Sequence, residues 1–376
     1  MKVVIAVDSF KGSLSSMEAG RAARAGILAA RPDASVTIKP LADGGEGTTD
    51  ALIEGLGGSK IDITVTGPMG QPVQACYGYL DASSTAVIEM AAAAGITLVP
   101  PEERNPLIAS TYGVGEMIQD AAARGCRNFI IGIGGSVTND GGIGMLKALG
   151  FRFLDKDGRD AGEGGQALGK IMSVDTGGRN PLLTGCRFQV ACDVTNPLCG
   201  KNGATYIYGP QKGVTEDLLE QLDTDMAHYA AVTAEALGSS HAGAKGAGAA
   251  GGLGFAFLSN LGAVLTPGVD LILDAVGLRD ELDGTDIVVT GEGRLDAQTA
   301  MGKAPAGVAR LAKAYGIKVI AFAGSVAKGA SACNEAGIDA FFPVIRGVTT
   351  LEEAMKPDTA RENMAAAVEQ VFRLLG

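Results

Sequence analysis

Five short stretches of this sequence hold polar side chains at spacings suited to chemistry, each set among glycines. In Pro40–Thr48, "PLADGGEGT", Asp43 and Glu46 stand three residues apart. Two close carboxylates repel one another away from water, so the pair reads either as a solvated loop or as a candidate Mg²⁺ site. Mg²⁺ takes hard oxygen ligands, one or two of them carboxylates, and completes its shell with substrate oxygens. In "DSFKGS", Asp8 follows an apolar run and Lys11, Gly12 and Ser13 lead on toward a helix. A phosphate could rest on helix N-terminal N–H groups there, with Lys11 adding charge. The plainer explanation is that Ser13 or Ser15 caps the helix and Lys11 is solvated.

In "GIGGSVTNDGGIG", the backbone of Gly134, Gly135 and Ser136 could form an anion nest, with Thr138, Asn139 and Asp140 as side-chain contacts. A capped strand–helix turn is the bland alternative. In "VACDVTNPLCG", Asp193 could accept a hydroxyl proton or bind a metal, although Asx residues before proline also simply start turns. In "VVTGEGRLDAQTAMGK", Glu292, Arg294, Asp296, Gln298, Thr299 and Lys303 crowd together. The guanidinium suits a carboxylate or phosphate bidentately.

Two familiar signatures fail. Gly246, Gly248 and Gly251 match G-x-G-x-x-G, but they follow "GSSHAGAK" rather than a strand, and a loop is the simpler reading. Gly169-Lys170, Gly200-Lys201 and Gly302-Lys303 are not followed by Ser or Thr, so there is no Walker A loop. With only His228 and His241, histidine chemistry is poorly supported. Carboxylates, lysine, arginine and metal must carry the work.

The elements that would position these groups follow from pattern and composition. The 376 residues exceed the usual size of one core, and 46% hydrophobic against 19% charged is globular. The 56 glycines are roughly twice the usual share of about 7% and have no collagen period, which implies tight turns and close backbone approaches. A net charge of −11 without a Lys/Arg block argues against nucleic acid as a partner. Six scattered cysteines without CxxC suit a reducing cytoplasm. The N-terminal "MKVVIAVDSFKGS" reads as a strand rather than a signal peptide, and no apolar run is long enough to span a membrane.

Short β-branched runs at Val3–Val7, Phe129–Ile133, Ile287–Val289, Val319–Phe322 and Ala340–Val344 mostly pass through glycine into helical patterns, the signature of parallel α/β structure. Ile61–Thr66, Val73–Leu80 and Ala86–Met90 read instead as antiparallel pairs, and Glu216–Leu237 as a long polar helix. The expected fold class is therefore α/β with two domains. A Rossmann- or flavodoxin-like parallel-sheet domain uses both chain ends, 1–65 and 285–376, and a mixed α/β domain, 66–284, is inserted between them. The glycine and acid clusters fall after strands, where open α/β sheets bind ligands.

Together these segments resemble the bacterial glycerate kinase family unrelated to ribokinase-like sugar kinases. "DSFKGSLSS", "PLADGGEGT", "TYGVGE", "GIGGSVTNDGGIGM", "CDVTNPLCG", "GPQKG", "GAAGGLG", "TGEGRLDAQT" and "GKAP" occur in unbroken order across nearly the whole chain. Val137 stands where a small Ala is expected. The resemblance implies ATP-dependent phosphorylation of D-glycerate, typically to 2-phosphoglycerate, with the active site in an interdomain cleft. ATP and Mg²⁺ would be the cofactors and small molecules the partners, and a homodimer stays open. A hydroxy-acid dehydrogenase and a noncatalytic sugar-phosphate sensor are the competing readings.

Phosphoryl transfer needs positioning and charge stabilisation. On that chemistry Lys11, Ser13, Lys303 and the Gly134–Ser136 backbone would hold phosphates, and Asp43 and Glu46 would bind Mg²⁺ or the glycerate hydroxyls. Arg294 would pair with the glycerate carboxylate, and Ser9, Asn139, Asp140 and Glu292 would complete the substrate contacts. Asp193 is the first choice of base, with Asp8 and Asp296 as rivals.

Overall fold

The structure, a computed structural model, describes every residue except Asp43, Glu46 and Gly376. Its chain forms two compact units. One holds the described residues of Met1–Asp43, Asp50–Gly57 and Val269–Gly376; the other holds those of Gly44–Thr49 and Gly58–Gly268. The sequence marks its changes of rhythm near 65 and 285, whereas the contacts divide the chain at 57/58 and 268/269. No sequence signal assigns the short segment 44–49 to the second unit.

The chain opens in the first unit with β1 (Lys2–Val7) and β2 (Ser35–Pro40). The second unit supplies β3 (Ser59–Thr66), β4 (Pro72–Leu80), β5 (Thr85–Glu89), β6 (Asn128–Gly132), β7 (Arg152–Leu154), β8 (Ser173–Asp175), β9 (Arg187–Ala191) and β10 (Val264–Thr266). The first unit is then completed by β11 (Ile287–Leu295), β12 (Lys318–Val326) and β13 (Ala340–Pro343).

In the first unit the strand order is β13-β12-β11-β1-β2, all parallel. Read in that unit's own sequence this is 2-1-3-4-5, the flavodoxin-like order, which reverses between β1 and β11 and so places a topological switch point there. Val3, Ile5, Val7, Val289 and Phe322 are apolar and buried because helices cover the sheet. The helix Ser16–Ala30 packs on Pro357–Leu374 at close range: a Cβ on Gly26 would overlap the Ala365 carbonyl oxygen. Its start is set by a capping box between Ser15 and Glu18, a device that contributes about 1 kcal/mol.

One expectation for this unit is corrected. The strand runs read from sequence stop at Val289 and Phe322, yet β11 and β12 keep pairing through Glu292↔Ala323 and Arg294↔Ser325. Glycine looks like a strand breaker in isolation; here Gly291 lets the strands approach, since a Cβ would strike the Phe322 carbonyl.

The second unit has a mixed sheet ordered β10-β9-β6-β5-β4-β3, plus the pair β7-β8. β3, β4 and β5 pair antiparallel, as their alternation suggests, while β5, β6, β9 and β10 pair parallel. Phe129 stacks on Phe188 with centroids 4.8 Å apart, and Tyr229 meets Phe153 and Phe255 edge-on. The helix Glu216–Leu237 starts with Glu216 and Asp217 and stops at left-handed Gly238, a charge and cap arrangement that favours both ends.

Candidate active site

The first unit contains a cavity of about 450 Å³ at the carboxyl ends of β1, β11, β12 and β13. It gathers eight residues marked from the sequence: Asp8, Ser9, Lys11, Ser13, Glu292, Arg294, Asp296 and Lys303. Local hydrogen bonds explain their placement. The Asp8 N–H continues the sheet by donating to Gly291 O at 2.8 Å, and the Ser9 N–H donates to Asp8 Oδ1 at 2.6 Å. The chain then turns tightly over Phe10–Leu14, with the Ser13 N–H donating to Phe10 O at 2.7 Å and Gly12 at φ +76°. Only past this turn does the helix begin, so Ser15, not Ser13, is its cap. The Ser13 hydroxyl oxygen is thus released from capping; it is buried and has no hydrogen-bond partner among the described residues.

Across the cavity, Glu292 Oε1 accepts from the Thr299 hydroxyl at 2.6 Å. Asp296 Oδ1 accepts the N–H groups of Gln298 at 2.9 Å and Thr299 at 3.2 Å, which builds the turn after β11. Arg294 lies 3.9 Å from Asp296 Oδ2 and is largely exposed. Lys303 begins the helix Ala304–Lys313, whose first turn carries no side-chain cap. Three cations and three carboxylates therefore share one concavity, opposite an apolar wall that includes Phe10, Val344, Ile345, Leu351 and Met355.

The other marked residues lie in the second unit. Gly134 and Gly135 are exposed after β6, with Gly135 at φ +72°. Beyond them the loop turns inward, and Ser136, Thr138, Asn139 and Asp140 are buried. The sequence expects Asn139 and Asp140 to touch substrate, but their side chains find partners within the fold. Asp140 Oδ2 accepts from the Thr111 N–H (2.9 Å), the Thr111 hydroxyl (2.8 Å) and the Gly144 N–H (3.2 Å), and Oδ1 from the Gly142 N–H (3.1 Å). Asn139 Nδ2 donates to Thr205 Oγ1 at 3.1 Å. Burial raises the Asp140 pKa, and the hydrogen bonds from Thr111 oppose that shift.

The segment 246–252, which reads from sequence as a glycine loop, supplies the cover. Gly251 and Gly252 take left-handed conformations and press onto residues 138–141; a Cβ on Gly251 would overlap the Thr138 carbonyl oxygen.

Asp193 is exposed after β9, and its Oδ1 accepts the Gly268 N–H at 2.8 Å. Gly44 packs beside it, because a Cβ there would meet Gly268 Cα at 2.7 Å and Ala191 Cβ at 3.1 Å. Glu89 Oε1 holds the Thr49 N–H at 2.9 Å, fixing the end of the same segment at β5. Asp43 and Glu46, the expected metal ligands, lie outside the described residues. Among the described residues, no group of three His, Cys, Asp or Glu side chains is assembled for a metal.

The family model for the "Glycerate kinase family" matches residues 3–376. The chain is similar to "Glycerate kinase" of Bacillus subtilis (strain 168), 48% identical over 95% of this chain and 93% of that one. It is similar also to "Glycerate 2-kinase" of Escherichia coli (strain K12), 46% identical over 100% of this chain and 98% of that one. This chain belongs to the glycerate kinase family. A solved structure described as a putative glycerate kinase 2 from Salmonella typhimurium LT2 superposes with a TM-score of 0.91 at 45% identity, covering 100% of this chain and 98% of that one.

Sequence reasoning missed several residues of this glycerate kinase family member. Lys212 is only 1% exposed; its Nζ donates to Ser136 Oγ at 2.6 Å and Thr138 O at 2.7 Å. Burial pushes its pKa down to about 7, against the pull of the Asp140 charge. A signal was present, since Lys212 sits in "GPQKG", but nothing local ties that lysine to residues some seventy positions earlier. The apolar wall from Val344 to Met355 carries no motif at all.

Proposed function

We propose that this protein transfers the terminal phosphoryl group of ATP to the 2-hydroxyl of D-glycerate, a phosphotransferase reaction with an alcohol acceptor. Family membership supports the reaction class. The observation that carries the reading is the cavity at the β1/β11 switch point, where Lys11, Arg294 and Lys303 face Asp8, Glu292 and Asp296. Phosphoryl transfer asks the protein for charge and position rather than covalent chemistry, and this residue set supplies both.

In this reading Lys11 and Lys303 draw the phosphates in as point charges, and the planar Arg294 guanidinium takes the glycerate carboxylate by its two oxygens. Asp8 is the base that receives the hydroxyl proton: it is 7% exposed, directly follows β1 and shares the cavity with Arg294. Asp296 is less suited, because its Oδ1 holds the following turn. Asp193, in the second unit, is the rival base. The hard oxygen donors of Glu292 and Asp296 fit Mg²⁺, a cation that needs only one or two carboxylates when phosphates complete its shell. When bound, Mg²⁺ neutralises charge on the transferring phosphoryl oxygens. Six scattered cysteines without CxxC support a cytoplasmic location; no described helix is long and apolar enough to cross a membrane.

The test is phosphorus NMR of the purified protein with ATP, Mg²⁺ and D-glycerate, with L-glycerate and metal-free controls. A 2-phosphoglycerate signal is expected. A 3-phosphoglycerate signal would keep the kinase and overturn the position. ATP left intact would overturn the kinase reading in favour of a binding protein, and an absorbance change at the nicotinamide band would favour a dehydrogenase.

A further inference from the structure

We infer that the first unit's cavity is the nucleotide seat, with the purine nucleoside of ATP on the wall formed by Phe10, Val344, Ile345, Leu351 and Met355 and its phosphates toward Lys11, Ser13 and Lys303. This inference rests on the kinase reading above and concerns which of the two substrates covers the cavity's apolar wall.

Size and polarity both decide for the nucleotide. A volume of about 450 Å³ is that of a pocket for a drug-sized ligand. Glycerate bears an oxygen on each of its three carbons and has no apolar face for such a wall to cover. A purine ring has two. Leu351 lines the cavity with 74% of its surface still exposed, and Ile345 beside it is 36% exposed. A flat heterocycle laid there would remove that apolar surface from water.

The polar end matches a polyphosphate. Lys11 follows β1 directly, and Lys303 starts a ten-residue helix that has no side-chain cap and no acidic residue in its first turn, an arrangement receptive to anions. Ser13 lines the same space, and its buried hydroxyl lacks a partner among the described residues. In the flavodoxin-like strand order, the crevice between the first and third strands of the domain is where a phosphate-bearing ligand binds, and the cavity lies there.

Asn363 gives the seat its selectivity. It lines the cavity from the helix Pro357–Leu374. One amide carries both a donor and an acceptor, the pair needed to read the edge of adenine.

The experiment measures KM for ATP and for D-glycerate, and Kd for ADP by calorimetry, in wild type, Leu351→Gln, Met355→Gln and Asn363→Leu. In the two wall variants, KM for ATP and Kd for ADP should rise together by about tenfold, while KM for D-glycerate stays within about twofold. Asn363→Leu should lower the preference for ATP over GTP by about tenfold or more. If KM for D-glycerate rises and Kd for ADP does not, the apolar wall belongs to the acceptor and the inference is overturned. If wild type shows no glycerate-dependent ATP loss but the variants still lose ADP affinity, the kinase reading fails and the nucleotide seat stands.

Discussion

Two turns of this molecule begin alike and end differently. Each follows a buried parallel strand, carries glycine, and brings Ser with Asp or Lys within a few residues: Asp8–Ser13 after β1 and Gly134–Asp140 after β6. After β1 the polar residues line a cavity, and one hydroxyl is left without a partner among the described residues. After β6 the side chains from Ser136 onward turn into the protein, where Lys212 and Thr111 meet them. The difference is made by what packs on top. The residues above β1 and β11 line a cavity, whereas the left-handed backbone at Gly251 and Gly252 closes over Thr138 and Gly141. Polar residues at a strand end therefore announce that polar groups are needed. They do not announce whether ligand or fold will use them.

The strongest way to break this contrast is to remove one carboxylate from each turn. Asp8→Asn keeps an acceptor for the Ser9 N–H and should leave the unfolding midpoint within a few degrees. As the loss of a general base it should lower kcat by about 10²–10⁴-fold. Steady-state assays beside Asp193→Asn decide between the rivals, since a normal kcat for Asp8→Asn with a collapsed one for Asp193→Asn would reverse the assignment. Asp140→Ala should do the opposite and act on stability. It strips the acceptor from two Thr111 donors and the N–H groups of Gly142 and Gly144, at a cost of about 3 kcal/mol or more. Urea unfolding measures it; an unchanged midpoint with lost turnover would make Asp140 a substrate contact after all.

The same contrast explains what the sequence could show. Period-two alternation and β-branched runs carried the strands, because burial of a face leaves its mark in consecutive residues. The long helix Glu216–Leu237 was readable to both ends for that reason and because Gly238 stops it. The ends of β11 and β12 were not, because Gly291 and Gly324 look like breakers until the partner strand is known to need the room. Asp8, Lys11 and Arg294 were legible as site residues because motif chemistry is local. The roles of Asn139 and Asp140 were not, since burial of that loop depends on Lys212 and Gly251, more than seventy residues downstream. The apolar wall at Val344–Met355 was illegible for a third reason: apolar residues near a strand end look like core.

A smaller effect tests the closed turn through its charge. Lys212 titrates near 7 in the fold, against an ordinary lysine value of 10.5. Between these values the unfolded chain holds a proton that the folded protein tends to release, so stability gained from this group rises with pH. The burden of the buried ammonium is full below pH 7 and fades toward pH 10.5. Comparing wild type with Lys212→Met by urea unfolding at pH 7 and pH 9, the difference should shift in favour of wild type by about 1.4 kcal/mol per pH unit at most. A flat difference would mean that the ammonium is not desolvated, and the second turn would then be more open than its geometry states.

The smallest expected effect is the sharpest on the comparison, because it uses two hydroxyls in the same condition. Ser13 Oγ and Thr138 Oγ1 are both buried and both lack a hydrogen-bond partner among the described residues. Deleting an orphaned hydroxyl relieves a desolvation penalty, so Ser13→Ala and Thr138→Val should each leave stability unchanged or raise it by up to about 1 kcal/mol. Their effects on ligand binding should part. Ser13 faces the cavity, and losing one hydrogen bond to a phosphate there should weaken ADP by about two- to tenfold. Thr138 lies under Gly251, and its replacement should leave ADP affinity as it was. Calorimetry on the two variants reads this directly. Equal losses would mean that the glycine turn after β6 also faces the nucleotide; no loss in either would move the phosphates away from the turn after β1.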